Sequence, residues 1–137
     1  MIVADTNLLV YLHLPGEHTT AAEQALLRDP EWIAPPLWRS EFLNVLTLYI
    51  RQGRLVPDEA LTAFERAEVT LQGREVSAEP RRVLELSRTS TCSAYDCEFV
   101  ALAEMLGIPL ITSDKRILSN FPAIAAAPGA FAGSENN

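Results

Sequence analysis

Apolar positions along the chain fall into two alternating patterns. Ile2-Val3-Ala4, Trp32-Ile33-Ala34, Pro109-Leu-Ile-Thr112 and Ala123 to Ala127 are brief apolar runs bounded by polar or turn residues. Such runs suit strands buried on both faces. Between them, apolar residues recur at helical spacing. Asn7 to Leu12 reads as a helical turn that stops at Pro15-Gly16, and Thr19 to Arg28 as a helix with Ala22, Ala25 and Leu26 on one face. Pro36 suits the first turn of a helix through LWRSEFLNVLTLYIRQG, with Phe42, Leu43, Val45, Leu46 and Tyr49 on its apolar face and Gly53 at its end. Pro57-Asp58-Glu59 starts another, with Leu61, Phe64 and Val69 expected inward. Glu75-Val76 suits a short strand, and Arg81 to Leu86 a helix. Ser93 and Asp96 form a capping-box pattern before CEFVALAEMLG, with Phe99, Leu102, Ala103 and Leu106 as its buried stripe. Asp114 to Leu118 opens a short helix.

Strands alternating with helices predict an α/β fold with a mainly parallel sheet. In such sheets, ligands bind beyond the carboxyl ends of the strands. Asp5 follows the first strand and Asp114 follows Pro109–Thr112, which puts both acids at one edge. Two further acids lie on or beside core-facing stripes: Glu41, in line with Val45 and Leu48, and Asp96, beside Phe99 and Val100. Each has a purely structural explanation. Asp5 and Asp114 suit helix caps, Asp96 the N3 acid of a capping box, and Glu41 a solvated helix position. Together they raise a different problem. Two carboxylates 4 Å apart repel by about 4 kcal/mol at an effective dielectric of 20. Four of them call for a compensating cation, and magnesium or manganese is the hard ion that oxygen ligands suit.

Composition narrows the choices. A chain of 137 residues, 48% hydrophobic and 21% charged, suits one globular domain. A net charge of −7 argues against a broad basic face for nucleic acid, but not against an acidic, cation-holding pocket flanked by a few arginines. No run reaches the roughly 18–20 apolar residues of a membrane span, and the N-terminus carries no basic stretch ahead of its apolar run. A cytoplasmic location is therefore expected. Cys92 and Cys97 match neither a zinc nor a CxxC spacing and are expected to be buried thiols; His13 and His18 make no zinc site.

The stretches ADTNLLV, WRSEFLNVL, SAYDCEFVALAEMLGIPLITSDKRI and FPAIAAAPGAF follow one another as in PIN-domain ribonucleases. Nearly the whole chain resembles that family, most of all the VapC-like toxins of bacterial toxin–antitoxin pairs. The resemblance implies a three-layer α/β/α fold around a mainly parallel sheet of four to five strands. It implies a nuclease domain over residues 1–130, a flexible tail over 131–137, and magnesium- or manganese-dependent hydrolysis of phosphodiester bonds in RNA. By matched position Asp5, Glu41, Asp96 and Asp114 are the acidic, metal-binding set, with Asp5 and Asp96 the main ligands. Asn7 and Thr112 orient them. A homodimer and a small antitoxin that blocks the site are also implied. Arg39, Lys115 and Arg116 stand beside the acids as candidate phosphate contacts, while Trp38 and Tyr49 suit core or dimer packing better than stacking on a base. Residues 54–88 carry no matching motif.

Three rivals remain at this level. A haloacid-dehalogenase-type phosphatase wants an acid where Asn7 stands. A receiver domain wants an early acid pair that is missing. A PIN-like module that only binds RNA or a partner has no need to cluster acids.

Overall fold

The computed structural model describes residues 1–133. Strand β1 (Ile2–Ala4) leads into α1 (Thr6–His13) and α2 (Thr19–Arg28), then β2 (Trp32–Ile33), α3 (Trp38–Arg51) and α4 (Pro57–Leu71). Helices α5 (Pro80–Arg88) and α6 (Ala94–Leu106) precede β3 (Leu110–Ile111), α7 (Lys115–Asn120), β4 (Ala125–Ala126) and α8 (Pro128–Gly133). The four strands form one sheet in the order β2-β1-β3-β4, every pair parallel. Val3 pairs with Ile33 on one side and Leu110 on the other. The chain leaves β1 for β2 on one flank and returns for β3 on the other, so the switch point lies between β1 and β3. Their carboxyl ends carry Asp5 and Thr112 to Asp114.

Ile2, Val3, Ala4, Leu110 and Ile111 are at most 1% exposed, because helices cover both faces of the sheet. On one side α6 packs against β1 and β3 with α5 outside it; α1 to α4 form the other group, and α8 closes on α2. Trp38 is fully buried, stacked on Phe64 at 5.3 Å and edge-on to Phe42 at 5.9 Å, so it belongs to the core.

Several elements differ from the sequence expectation. The inward stripe of α4 is Ala60, Ala63, Ala67 and Leu71, while Leu61 and Val69 are 57% and 70% exposed. Spacings of three and four place these small residues on one face, which lets α4 approach α1 and α3 closely. Leu43 and Leu106 likewise point to solvent. Pro36 sits in a turn ahead of α3, where Arg39 N–H donates to its carbonyl. Glu75 forms a single parallel bridge with Ala34 in place of a strand. Of the terminal stretch expected to fray, Phe131 to Gly133 lie in α8, and 134–137 fall outside the described residues. No helix among the described residues is long and apolar enough to cross a membrane. Cys92 and Cys97 are buried free thiols.

Candidate active site

Asp5, Glu41, Asp96 and Asp114 line one cleft of about 330 Å³, together with Thr6, Asn7 and Asn44. Four separate segments deliver the acids, and three arrive through helix starts. Asp5 caps α1, its Oδ1 accepting from Thr6 N–H at 2.8 Å. Asp114 caps α7, its Oδ1 accepting from Arg116 and Ile117 N–H at 2.9 and 3.0 Å. Asp96 is the N3 acid of α6, with Ser93 as its capping partner. The structural explanations and the shared cleft therefore hold together. A cap fixes where a helix begins, and so fixes the carboxylate at the carboxyl edge of the sheet.

Thr112 is the hub of the site. Its hydroxyl, fully buried, donates to Asp5 Oδ2 at 2.6 Å and accepts from Asp114 N–H at 3.0 Å and from Asn7 Nδ2 at 3.3 Å. Asn7 Nδ2 also reaches Asp5 Oδ2 at 3.3 Å, and Asn7 Oδ1 accepts from Ser113 N–H at 3.3 Å. Two residues escaped the sequence reading. Thr6 uses its hydroxyl to donate to Glu41 Oε1 at 2.7 Å, tying α1 to α3. Tyr11 shares a 2.8 Å hydrogen bond with Ser113, steadying the loop that carries Asp114. The signal available for both was a hydroxyl placed next to an acid or one α1 turn beyond Asn7.

Burial raises the Asp5 carboxyl from 3.8 to about 7, against the hydrogen bonds from Thr112 and Thr6, and the charges of Glu41 and Asp96 push the same way. Glu41 is also raised, first by burial and then by Asp96 and Glu98, while the Thr6 hydrogen bond opposes the shift. Among the described residues no lysine or arginine lines the cleft. Three of the acids commit one oxygen to the fold and keep another, Glu41 Oε2, Asp96 Oδ1 and Asp114 Oδ2, without a hydrogen-bond partner among the described residues. That donor set fits a hard divalent cation. Among the described residues no three His, Cys, Asp or Glu side chains converge into a ready-made ligand shell. The cleft thus suits a hydrated ion rather than an all-protein cage.

The candidate phosphate contacts separate. Arg39 is spent elsewhere. It makes a two-pronged pair with Glu75 at 2.6 and 2.9 Å, bonds Glu68 at 2.7 Å, and lies over Trp38 and Phe64. It ties α3 to α4 and the Glu75 segment and does not line the cleft. Arg116 points to the Thr91 carbonyl at 3.4 Å, and Lys115 is exposed on the first turn of α7.

Known proteins are similar to this chain in sequence or in fold. Ribonuclease VapC3 from Pyrobaculum aerophilum is 29% identical over 126 residues, which cover 90% of this chain and 96% of that protein. The crystal structure of PAE2754 from Pyrobaculum aerophilum superposes with a TM-score of 0.75 at 19% identity, covering 96% of this chain and 92% of that one. A toxin–antitoxin complex from Klebsiella pneumoniae superposes with a TM-score of 0.66 at 18% identity, covering 93% of this chain and 98% of that one. The PIN domain profile matches residues 2–124. With nearly its whole length matched and its acids gathered at the switch point of a parallel sheet, the chain belongs to the PIN domain family.

Proposed function

We propose that the chain is a metal-dependent endoribonuclease and the toxin of a toxin–antitoxin pair. The observation that carries this reading is the gathering of Asp5, Glu41, Asp96 and Asp114, from four separate segments, in one cleft without a cation among its lining residues. PIN nucleases depend on metal in general; Asp5 and Asp96, completed by Glu41 and Asp114, are the residues that hold magnesium or manganese here. The bound ion supplies Lewis-acid activation of water and offsets the charge that grows on the phosphoryl oxygens.

The chain supplies placement. A carboxylate has about four acceptor directions. Thr6, Thr112 and Asn7 occupy three of those of Asp5, which fixes its plane and leaves one direction unused. Thr112 transmits that order to Asp114 through the Asp114 N–H. Thr6 holds Glu41 by one oxygen. Single-stranded RNA fits the substrate role because its phosphodiesters can enter an open cleft. A small antitoxin that covers the cleft and a homodimer complete the reading, with the cytoplasm as its site of action.

The test is cleavage of a mixed single-stranded RNA pool with manganese, beside EDTA and an Asp5→Asn protein. Cleavage that needs both the metal and Asp5 is the expected result. Cleavage that survives either change places the activity elsewhere, and an intact pool refutes general single-strand cleavage. Expression of the chain alone should arrest growth, and Asp5→Asn should release it.

A further inference from the structure

The groove between α1 and α3 continues past the acids. Helix α1 gives Asn7 and Val10 to the acidic cleft, then Val10 and Tyr11, with Leu14 just past its end, to a second pocket of about 180 Å³. Helix α3 gives Glu41, Asn44 and Val45 to the first and Tyr49 to the second. The two pockets share Val10 and are successive stations along one groove.

The second station has the opposite chemistry. Tyr11 and His18 hold their rings 4.5 Å apart, and the Arg54 guanidinium lies 4.0 Å from the centroid of Tyr49. Local geometry builds the latter pair. Gly53 adopts φ +73°, Gly53 N–H returns to the Ile50 carbonyl, and Arg54 N–H returns to that of Tyr49 at 2.9 Å. This left-handed turn closes α3 and folds Arg54 back over the ring. Arg39 and Arg82 are paired with carboxylates, but Arg54 has none within ion-pair distance among the described residues. Its side-chain hydrogen bond is to Gln52 at 3.5 Å. Glu17, the acid of this pocket, faces His18 at 3.3 Å.

We infer that this pocket is a subsite for a nucleotide flanking the scissile phosphate of single-stranded RNA. Arg54 takes a flanking phosphate, and the Tyr49 and His18 rings carry a base. The inference rests on the ribonuclease reading. It supplies what the lining of the acidic cleft lacks in a chain of net charge −7, a side-chain cation for the phosphates that flank the metal site. Stacking on aromatic rings beside a cationic contact binds single strands with little sequence preference.

The test compares the parent with Arg54→Gln, Tyr49→Leu and Arg88→Gln, the last removing an equal charge from α5 outside both pockets. Tyr11 is left alone because its hydroxyl holds Ser113. The probe is a fluorescein-labelled single-stranded hexaribonucleotide pool with manganese. Where the parent cleaves the pool, the readout is KM against kcat. Where it does not, the ribonuclease reading fails for that RNA, and anisotropy of the intact pool gives Kd for the subsite alone. Arg54→Gln and Tyr49→Leu should each raise KM or Kd roughly 5- to 50-fold, with kcat changed far less, while Arg88→Gln matches the parent. Values for Arg54→Gln within twofold of the parent overturn the inference. So does an equal rise in Arg88→Gln, which marks diffuse charge attraction, and so does a parent that does not bind the pool. Arg54 is exposed, so its variant keeps the test valid even if Tyr49→Leu folds poorly.

Discussion

Replacing Asp5 by Asn should change the sign of its effect on stability with pH. The native carboxyl titrates near 7 in the folded chain, against 3.8 ordinarily. Without metal, its ionised form is therefore roughly 4 kcal/mol less favourable in the folded chain than in the unfolded one. Between about pH 4 and 7 the folded chain holds a proton that the unfolded chain has released, so this group lowers stability as pH rises through that window. An amide never ionises. It also has one acceptor atom instead of two, so it cannot accept from Thr6 N–H on one side and from Thr112 and Asn7 on the other, a loss of about 1–2 kcal/mol. In EDTA, Asp5→Asn should thus be more stable than the parent by about 2 kcal/mol at pH 7.5, and less stable by about 1–2 kcal/mol at pH 4. For a domain of this size the gain is a rise of roughly 6–10 °C in Tm. His13 works in the opposite direction. Burial, then Arg66, lowers it from 6.5 to about 4, so it removes stability as pH falls between those values. It is present in both proteins and cancels in their difference. The assay is urea denaturation of both proteins in EDTA at half-unit steps from pH 4 to 8. Stability curves that stay parallel across the window would falsify the account of Asp5 as a buried carboxylate that lacks a counter-charge.

Magnesium or manganese should raise the Tm of the parent by several degrees at pH 7.5 and shift Asp5→Asn much less, as read by differential scanning fluorimetry. Thr112→Val removes the hydroxyl shared by Asp5, Asn7 and Asp114; it should cost about 1–3 kcal/mol in urea denaturation and lower kcat more than it raises KM. Arg39→Ala should cost about 1–2 kcal/mol by losing its half-exposed pairs with Glu75 and Glu68 and its packing on Trp38. RNA binding should stay unchanged in the same protein, and a large loss of binding would restore Arg39 as a phosphate contact. Gly53→Ala meets no atom within 4 Å of the new Cβ but inherits φ +73°; the expected loss is about 1 kcal/mol, measured by chemical denaturation.

The fold was legible wherever local pattern and burial agree. The parallel strands read correctly because each is a brief apolar run covered on both faces. Helix starts were legible to within a residue, Asn7 for Thr6 and Asp114 for Lys115, because Asp5, Ser93 and Asp114 are caps. The same caps made the acidic edge visible, since a cap fixes a side chain relative to a strand end. Helix α4 misled because large apolar residues attract attention in a sequence, while alanines at 60, 63 and 67 make the closer helix contact. Arg39 misled for a related reason. Its neighbour along the chain is near Glu41, but its partners, Glu68 and Glu75, lie 29 and 36 residues away. No local signal reports them. The Thr112 hub escaped in part for the same cause: the T-x-D pattern marked the residue, but not its reach to Asp5.

That reach spans 107 residues, from near one end of the described chain to near the other. The middle of the sheet is assembled the same way, since Ala4 pairs with Ile111. Topologies dominated by such distant pairings close late. During synthesis at about 5–20 residues per second, Asp5 waits roughly 5–20 s for Thr112 to be made. Until then the cleft lacks its hub, its Asp114 wall and half of its sheet. A chain not yet extended past Thr112 therefore has no assembled acidic cleft, whatever the state of its first strand and helix.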